Sequence, residues 1–222
     1  MRHIPHLHVP GPWEGADLSV SDDHSRHLRK ILRLGDGADL SYTDGAGTTG
    51  RGTLQGDLIV RGSESLIDRP EPAVAVAVAP PRTPGRVRFV VEKLAELGID
   101  RIYWLATRHG EGRPPRSDKA IAWARAALEQ SRGAWLLGFE GPIGVEDLPE
   151  SSTLWVAERE SQPPPSVVNG GILVIGPEAG FAEGEVPAAA CRIALGTRVL
   201  RVETAAVAGA TLLLDRSGRL AP

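Results

Sequence analysis

Two short segments near the end of the chain combine glycine turns with charged side chains at a spacing that could serve a ligand. The first is Ile172-Leu173-Val174-Ile175-Gly176-Pro177-Glu178-Ala179-Gly180-Phe181. An apolar run of strand length enters a turn whose two glycines let a ligand approach the backbone closely. The second is Leu195-Gly196-Thr197-Arg198-Val199-Leu200-Arg201-Val202-Glu203-Thr204-Ala205, again a strand end, a glycine loop and polar residues opening a helix. Ligands of open α/β sheets collect at the carboxyl ends of strands, where both segments would lie. The same residues also suit plain strand-to-helix connections, with Gly-Pro making the turn and Glu203 or Thr204 capping the helix. Residue types alone leave both readings open.

The elements that must position these segments follow from pattern. From Ala73 onward, strands alternate with helices: a strand over Ala73 to Ala79, a helix over Arg86 to Leu97 capped by Gly98, and a strand over Arg101 to Ala106. Ser117 is placed to N-cap a helix reaching about Gln130, with Ile121, Ala124 and Leu128 inward. Strands follow at Thr153 to Ala157, Gly171 to Ile175 and Arg192 to Leu195, then a helix from near Glu203 to about Leu214. Val-, Ile- and Ala-rich strands separated by helices indicate a mostly parallel sheet covered on both faces. The first seventy residues differ. Asp36-Gly37, Asp44-Gly45-Ala46-Gly47, Gly50, Gly52, Gly56 and Gly62 read as turn signals between short segments, hence a small β-barrel or sandwich. Its one helix is expected over Asp23 to Leu34, with His27, Leu28, Ile31 and Leu32 near helical spacing, and Ser65 to Pro72 is a plausible linker.

Composition narrows the class. A chain of 222 residues with 41% hydrophobic and 24% charged content is ordinary for a globular protein of one large or two small domains. No apolar run approaches the roughly 20 residues that span a bilayer, and no signal-peptide stretch opens the chain, so no membrane partner is expected. The single Cys191 fits a reducing, cytoplasmic setting. A net charge of -3 argues mildly against nucleic-acid binding, yet says nothing of how charge is distributed. Only Lys30, Lys93 and Lys119 are lysines; the remaining cations are arginines, which suit forked contacts to phosphate. Familiar sites are missing. Ala79-Pro80-Pro81-Arg82 stands where a dinucleotide-binding glycine motif would follow the first parallel strand, and no P-loop is present. Ser131 and Ser166 lack the nucleophile-elbow frame. No zinc spacing is present, and His3, His6 and His8 read better as one face of a strand than as a metal tract, so no metal is expected.

Taken in order along the chain, five motifs resemble one family. Gly176-Pro177-Glu178-Ala179-Gly180-Phe181 and Leu195-Gly196 through Leu200-Arg201-Val202-Glu203-Thr204-Ala205 are similar to the paired signature of the RsmE-type 16S ribosomal RNA uracil-N3 methyltransferases. His27-Leu28-Arg29-Lys30-Ile31-Leu32-Arg33-Leu34 resembles a helix of that family's N-terminal RNA-binding barrel. Glu92-Lys93-Leu94-Ala95-Glu96-Leu97-Gly98-Ile99 and Glu129-Gln130-Ser131 resemble two further stretches. The likeness covers nearly the whole chain.

The resemblance implies an α/β SPOUT domain with a deep C-terminal trefoil knot, a rare exception to unthreaded topology, over residues 71–222. A small PUA-like β-barrel over residues 1–70 precedes it. S-adenosylmethionine is the implied cofactor, with Gly176, Pro177, Glu178 and Gly180 on one side of its pocket and Leu195, Gly196, Leu200 and Arg201 on the other. The loop after Trp155-Val156-Ala157-Glu158 would form a third wall. Two subunits would pair through the knot domain. Small-subunit ribosomal RNA, or the particle containing it, would be the partner. Among possible catalytic groups, Arg201 could stabilise an anionic uracil ring while Glu203 or Glu178 accepts or positions the N3 proton; Arg201 could equally pair with Glu203 or with the cofactor carboxylate. Arg26, Arg29, Lys30 and Arg33, three and four apart, would present a basic face to RNA. Departures exist: Ala179 for the usual second Gly, Ala122-Trp123 for Arg-Trp, Arg108-His109 for Arg-Ser, and Pro84-Gly85-Arg86 where a basic residue precedes the helix. Other SPOUT targets, the ribose 2′-oxygen or guanine N1, and a non-catalytic RNA-binding assembly factor are the alternatives.

Overall fold

A computed structural model describes residues 4–220. The chain forms two compact units: Met1–Arg69 with Arg125–Leu136, and Pro70–Ala124 with Leu137–Pro222. The segment Arg125–Leu136 had no signal assigning it to the first unit. The boundary at Arg69 falls inside the stretch read as a linker, whose first residues belong to a strand.

The first unit is a barrel-like mixed sheet of β1 (His6–His8), β2 (Asp17–Ser19), β3 (Asp39–Thr43), β4 (Thr48–Gln55) and β5 (Leu58–Leu66) in the order β1-β3-β4-β5-β2. β1 runs parallel to β3, and the other pairs are antiparallel. Its core gathers Leu7, Leu18, Leu28, Leu40, Tyr42, Leu54 and Ile59. Tyr42 organises this core. A Cβ at Gly50 would stand 2.4 Å from its ring, and one at Gly52 would meet the Val60 carbonyl at 2.3 Å. These glycines lie inside β4, and Gly62 inside β5, so they are not turns as their spacing suggested. They are packing positions, where a missing side chain makes room for an aromatic ring and a neighbouring strand. Burial foremost, then Glu64 accepting the Tyr42 hydroxyl at 2.8 Å, pushes the phenol up to about 12.

The expected helix over Asp23 to Leu34 is shorter and differently wound. Ser21 caps α1 (Asp22–Arg26) by accepting the His24 N–H, and a π-helical turn, His27–Ile31, follows. Of the four positions at near-helical spacing, only Leu28 is buried; His27, Ile31 and Leu32 are exposed. The wide turn shifts the register away from 3.6, which is why the periodicity misled.

Glu129 ties this unit together. Its Oε1 accepts the His8 N–H at 2.8 Å and lies 2.8 Å from His24 Nε2. Hydrogen bonding to Glu129 raises the His24 pKa, whereas burial, the largest influence, is outweighed at Glu129 by bonds from His24 and His8 that hold its carboxyl low. His6 and His8 shift downward, chiefly through burial, so they favour the folded state in the neutral form.

The second unit is a six-stranded sheet in which every pair is parallel. Its elements are β6 (Val74–Val78), α2 (Pro84–Glu96), β7 (Arg101–Leu105), α3 (Ser117–Ser131, whose last turns belong to the first unit), β8 (Gly138–Ile143), β9 (Leu154–Ala157), β10 (Gly171–Ile175), β11 (Cys191–Ile193) and α4 (Val202–Arg216). The spatial order is β11-β9-β10-β6-β7-β8. α4 packs against α2, β6 and β10, and a Cβ at Gly209 would stand 2.7 Å from Leu173, so this glycine lets the helix lie close to β10. The opposite face is covered in part by Val145, Leu148, Phe181, Val186 and Ala190, which come from loops and one short 3-10 turn (Val145–Asp147) rather than from an α-helix. β8 carried no signal, because Gly138, Gly141 and Pro142 hide it; proline is tolerated there since β8 is an edge strand. Ser117 begins α3 rather than capping it, as the first helical N–H groups bond to the Arg116 carbonyl, and Ile121 is only half-buried.

Glu129→Gln keeps an acceptor for His8 but removes the charge that holds His24 protonated. Because the His24 pKa is raised on folding, its stabilisation is complete below the ordinary histidine value and fades as pH rises through the folded value. The variant should therefore lose on the order of 1 kcal/mol near about pH 6 and much less near about pH 9. Urea unfolding at both pH values measures it, and an equal loss at both would refute the ion-pair account.

Candidate active site

All six strands point their carboxyl ends to one edge, so the loops after β6, β7, β9, β10 and β11 share that edge. A cavity of about 220 Å³ opens there between the end of β9 and the loop after β11. Ala157, Glu158, Leu195, Gly196, Leu200 and Ala205 line it, together with Arg159, Arg198 and Val199. Gly196 has φ +146, a region that residues with a Cβ avoid, and open space lies where that Cβ would be. The backbone there is therefore bare where a side chain would stand. Leu195 is held from behind by Gly209 of α4.

The loop after β10 reaches the site by a different route. Gly176, Pro177, Glu178 and Gly180 do not line this cavity. The turn is closed by the Gly180 N–H donating to the Pro177 carbonyl at 2.9 Å, with Gly180 at φ +77. Gly176 is required because a Cβ would meet the Phe181 ring at 2.8 Å. His109 Nδ1 contacts the Gly180 carbonyl at 3.1 Å, and Glu185 accepts the backbone N–H groups of Arg108 and Ala182, both at 2.6 Å. Those two N–H bonds hold the Glu185 carboxyl below its usual range against the opposing effect of burial, which is the largest single influence.

Arg86, in the first turn of α2, joins the two glycine loops. Its Nε lies 3.4 Å from Glu203 Oε1, and a terminal nitrogen lies 4.0 Å from Glu178 Oε1. Glu203 is 12% exposed, and its Oε2 is buried without a hydrogen-bond partner. A buried polar atom without a partner is uncommon and marks Glu203 as a candidate functional group. Arg201 precedes α4, is exposed, and is not the partner of Glu203. The sequence pattern marks Arg86 as a helix start and as a departure from the family's residues, with no role in the site. Helix electrostatics offered a signal, since a cation in the first turn opposes the dipole and calls for acidic partners.

The basic face expected in the first unit is uneven. Arg29 donates to the Leu34 carbonyl at 3.0 Å, to the Gly56 carbonyl at 2.6 Å and to Asp36, so it braces a loop. Arg26 pairs with Asp23 at 3.2 Å on the surface, while Lys30 and Arg33 are exposed, Arg33 at φ +55. No group of three or more His, Cys, Asp or Glu side chains suited to a metal occurs among the described residues, and His3 lies outside them.

Residues 69–214, which contain both glycine loops and every strand of the parallel sheet, match the family model for an RNA methyltransferase domain. The chain belongs to this RNA methyltransferase family. A ribosomal RNA small subunit methyltransferase E of Mycobacterium bovis is 28% identical over 228 aligned positions, which cover 88% of this chain and 85% of the relative. Among solved structures, a probable rRNA-methyltransferase from Porphyromonas gingivalis superposes with TM-score 0.84 at 24% identity, over 97% of this chain and 99% of that one. A ribosomal RNA small subunit methyltransferase E from Neisseria gonorrhoeae, solved bound to S-adenosyl methionine, gives 0.80 at 22%, over 97% and 98%. At these identities the two structures speak for the shared fold. No helix among the described residues is long and apolar enough to cross a membrane.

Replacing Arg86 with Met leaves the inner carboxylate of Glu203 without its cation. Arg86→Met should cost about 1–3 kcal/mol in urea unfolding at neutral pH, and adding Glu203→Gln should recover most of that loss. Additive losses in the double variant would show that the two groups do not act as a pair.

Proposed function

We propose that this protein transfers a methyl group from S-adenosylmethionine to uracil N3 of small-subunit ribosomal RNA, as the RsmE-type enzymes do. The observation that carries the reading is the cavity at the end of β9 and the loop after β11, inside the region matching the RNA methyltransferase family. Its walls suit such a donor. Leu195, Val199, Leu200 and Ala205 offer an apolar slot for adenine, and the backbone around Gly196 can bond its edge. Arg159 and Arg198 stand beside the cavity for a carboxylate. When bound, the cofactor supplies an electrophilic methyl group on a sulfonium. Gly176, Pro177, Glu178 and Gly180 would form the facing side of the pocket once a ligand draws the loops together.

The chain's own residues then have two tasks. One is to hold the uracil nitrogen in line with the donor, since alignment supplies much of the acceleration. The other is to manage the N3 proton. Arg201, exposed and unpaired with Glu203, stabilises the anionic ring, while the unpartnered oxygen of Glu203, or Glu178 across Arg86, accepts or positions the proton.

The finer architecture belongs to the same proposal: a PUA-like first domain, residues 1–70, and a SPOUT domain, residues 71–222, with a deep trefoil knot. What supports the knot is connectivity: β11 lies beyond β9 at the sheet edge, and α4, the next element, packs back on β6 and β10, which is the return path such a knot would take. Pairing of two subunits through the knot is supported by Val199, 80% exposed beside the cavity. In the first domain Arg26, Lys30 and Arg33 contact RNA, with Arg29 bracing the loop behind them. The setting is the cytoplasm.

Mass mapping of small-subunit RNA after incubation with the protein and isotopically labelled cofactor should find one uridine heavier by a methyl group at N3. A label on a ribose or a guanine would redirect the chemistry, and no label with no calorimetric binding of the cofactor would overturn the proposal. Arg201→Ala should lower kcat by about 100-fold, and a cofactor Kd weakened by a similar factor would assign Arg201 to the cofactor carboxylate instead.

A further inference from the structure

A second cavity, about 430 Å³, opens beside the loops after β6 and β7. It shares no lining residue with the cofactor cavity. Its walls gather four cations, Arg82, Arg113, Arg116 and Lys119, against one carboxylate, Glu111, around the indole of Trp123. Lys119 Nζ lies 5.3 Å from the Trp123 ring centroid. Prolines 81, 84, 114 and 115 stiffen the same walls.

Packing does not explain this composition. Four like charges around one cleft repel each other, in a chain whose net charge is -3. Arg82 pairs with Glu111 and Arg116 with Asp118, but all four side chains are more than half exposed. Exposed pairs of this kind contribute little, so a phosphate can replace either carboxylate at small cost. Arg113 is exposed and makes no ion pair among the described residues. Cations suit a phosphodiester, and a half-buried indole between stiff walls suits a base.

We propose that this cavity binds one unpaired nucleotide of the RNA, with its phosphate among Arg113, Arg116 and Lys119 and its base stacked on Trp123. This rests on the RNA-methylating reading above and adds the strand's path to it. Pro84, in the cavity wall, lies two residues before Arg86, whose guanidinium reaches Glu203. The bound nucleotide is therefore a neighbour of the methylated one. The pairing edge of a uracil becomes accessible only when its strand is opened, and a subsite that grips an adjacent nucleotide offsets part of that cost.

The test compares binding of an oligouridine with binding of an abasic ribose-phosphate oligomer of equal length, using the full chain across a salt series. Wild type should bind oligouridine roughly tenfold more tightly. Trp123→Leu should erase that preference, and Trp123→Phe, which retains a stacking surface, should keep most of it. The triple variant Arg113→Ala, Arg116→Ala, Lys119→Ala should weaken both oligomers and reduce the slope of log K against log salt by about 2. Wild type indifferent to bases, or a triple variant with an unchanged slope, would overturn the assignment. Methyl transfer to small-subunit RNA is followed in parallel. Its absence beside an intact base preference would sink the uracil-N3 reading while supporting this cavity, and its presence without the preference would do the reverse.

Discussion

Parallel pairing of all six strands is the constraint from which the functional edge of this protein follows. Parallel strands cannot be joined by tight hairpins, so every connection leaves one edge of the sheet and returns from the other. The loops that end β6, β7, β9, β10 and β11 are thereby gathered at one edge although they lie far apart in the chain. Both cavities open beside these loops, with α4 adding Ala205 to one and α3 adding Lys119 and Trp123 to the other. Position along the edge then divides the labour. The β9 and β11 ends shape an apolar slot, and the β6 and β7 ends carry the cations.

Gathering loops is not the same as fixing them, and Arg86 shows how the remaining freedom is removed. A helix N-terminus is an unfavourable place for a guanidinium. The carboxylates of Glu203 and Glu178 outweigh that cost, the first more strongly because it is closer and less exposed. The 4.0 Å approach to Glu178, with 47% of that side chain exposed, contributes little to stability. It does bring the loop after β10 to the same guanidinium as Glu203 of α4. Glu185, in that same loop, works in the same sense, accepting the N–H of Ala182 in its own loop and of Arg108 in the loop after β7.

Much of this was legible in the residues. Apolar strand runs at Ala73, Arg101, Thr153 and Gly171 gave the parallel sheet, because strands buried on both faces leave continuous Val, Ile and Ala runs. The glycine loops were legible for a related reason. Gly176, Gly180 and Gly196 each meet a steric or dihedral demand that other residues cannot. Elements governed by context were hidden. β8 is an edge strand written in Gly and Pro, and its pairing with β7 depends on register rather than propensity. Gly50 and Gly52 looked like turns, since the pattern cannot show that Tyr42 will occupy the space above them. The π turn after α1 likewise exposed Ile31 and Leu32, which a regular helix would have tucked away with Leu28. Glu129 stood out only as part of a motif; its role as acceptor for His8 and partner of His24 required residues more than a hundred positions away.

Net charge is the property that misdirected most, and the reason is physical. A value of -3 averages over the whole surface, whereas a polyanion meets potential within a Debye length, about 8–10 Å. On that scale the cleft around Trp123 is cationic, because four positive side chains face only Glu111 in the wall and Asp118 beside Arg116. Acidic residues elsewhere limit nonspecific capture of nucleic acid without cancelling this local field. An enzyme that must act on one nucleotide of a very long polyanion gains from that arrangement. Uniform basicity would hold it anywhere along the strand, while a confined basic cleft with an aromatic floor favours sites where a base is already free to turn outward.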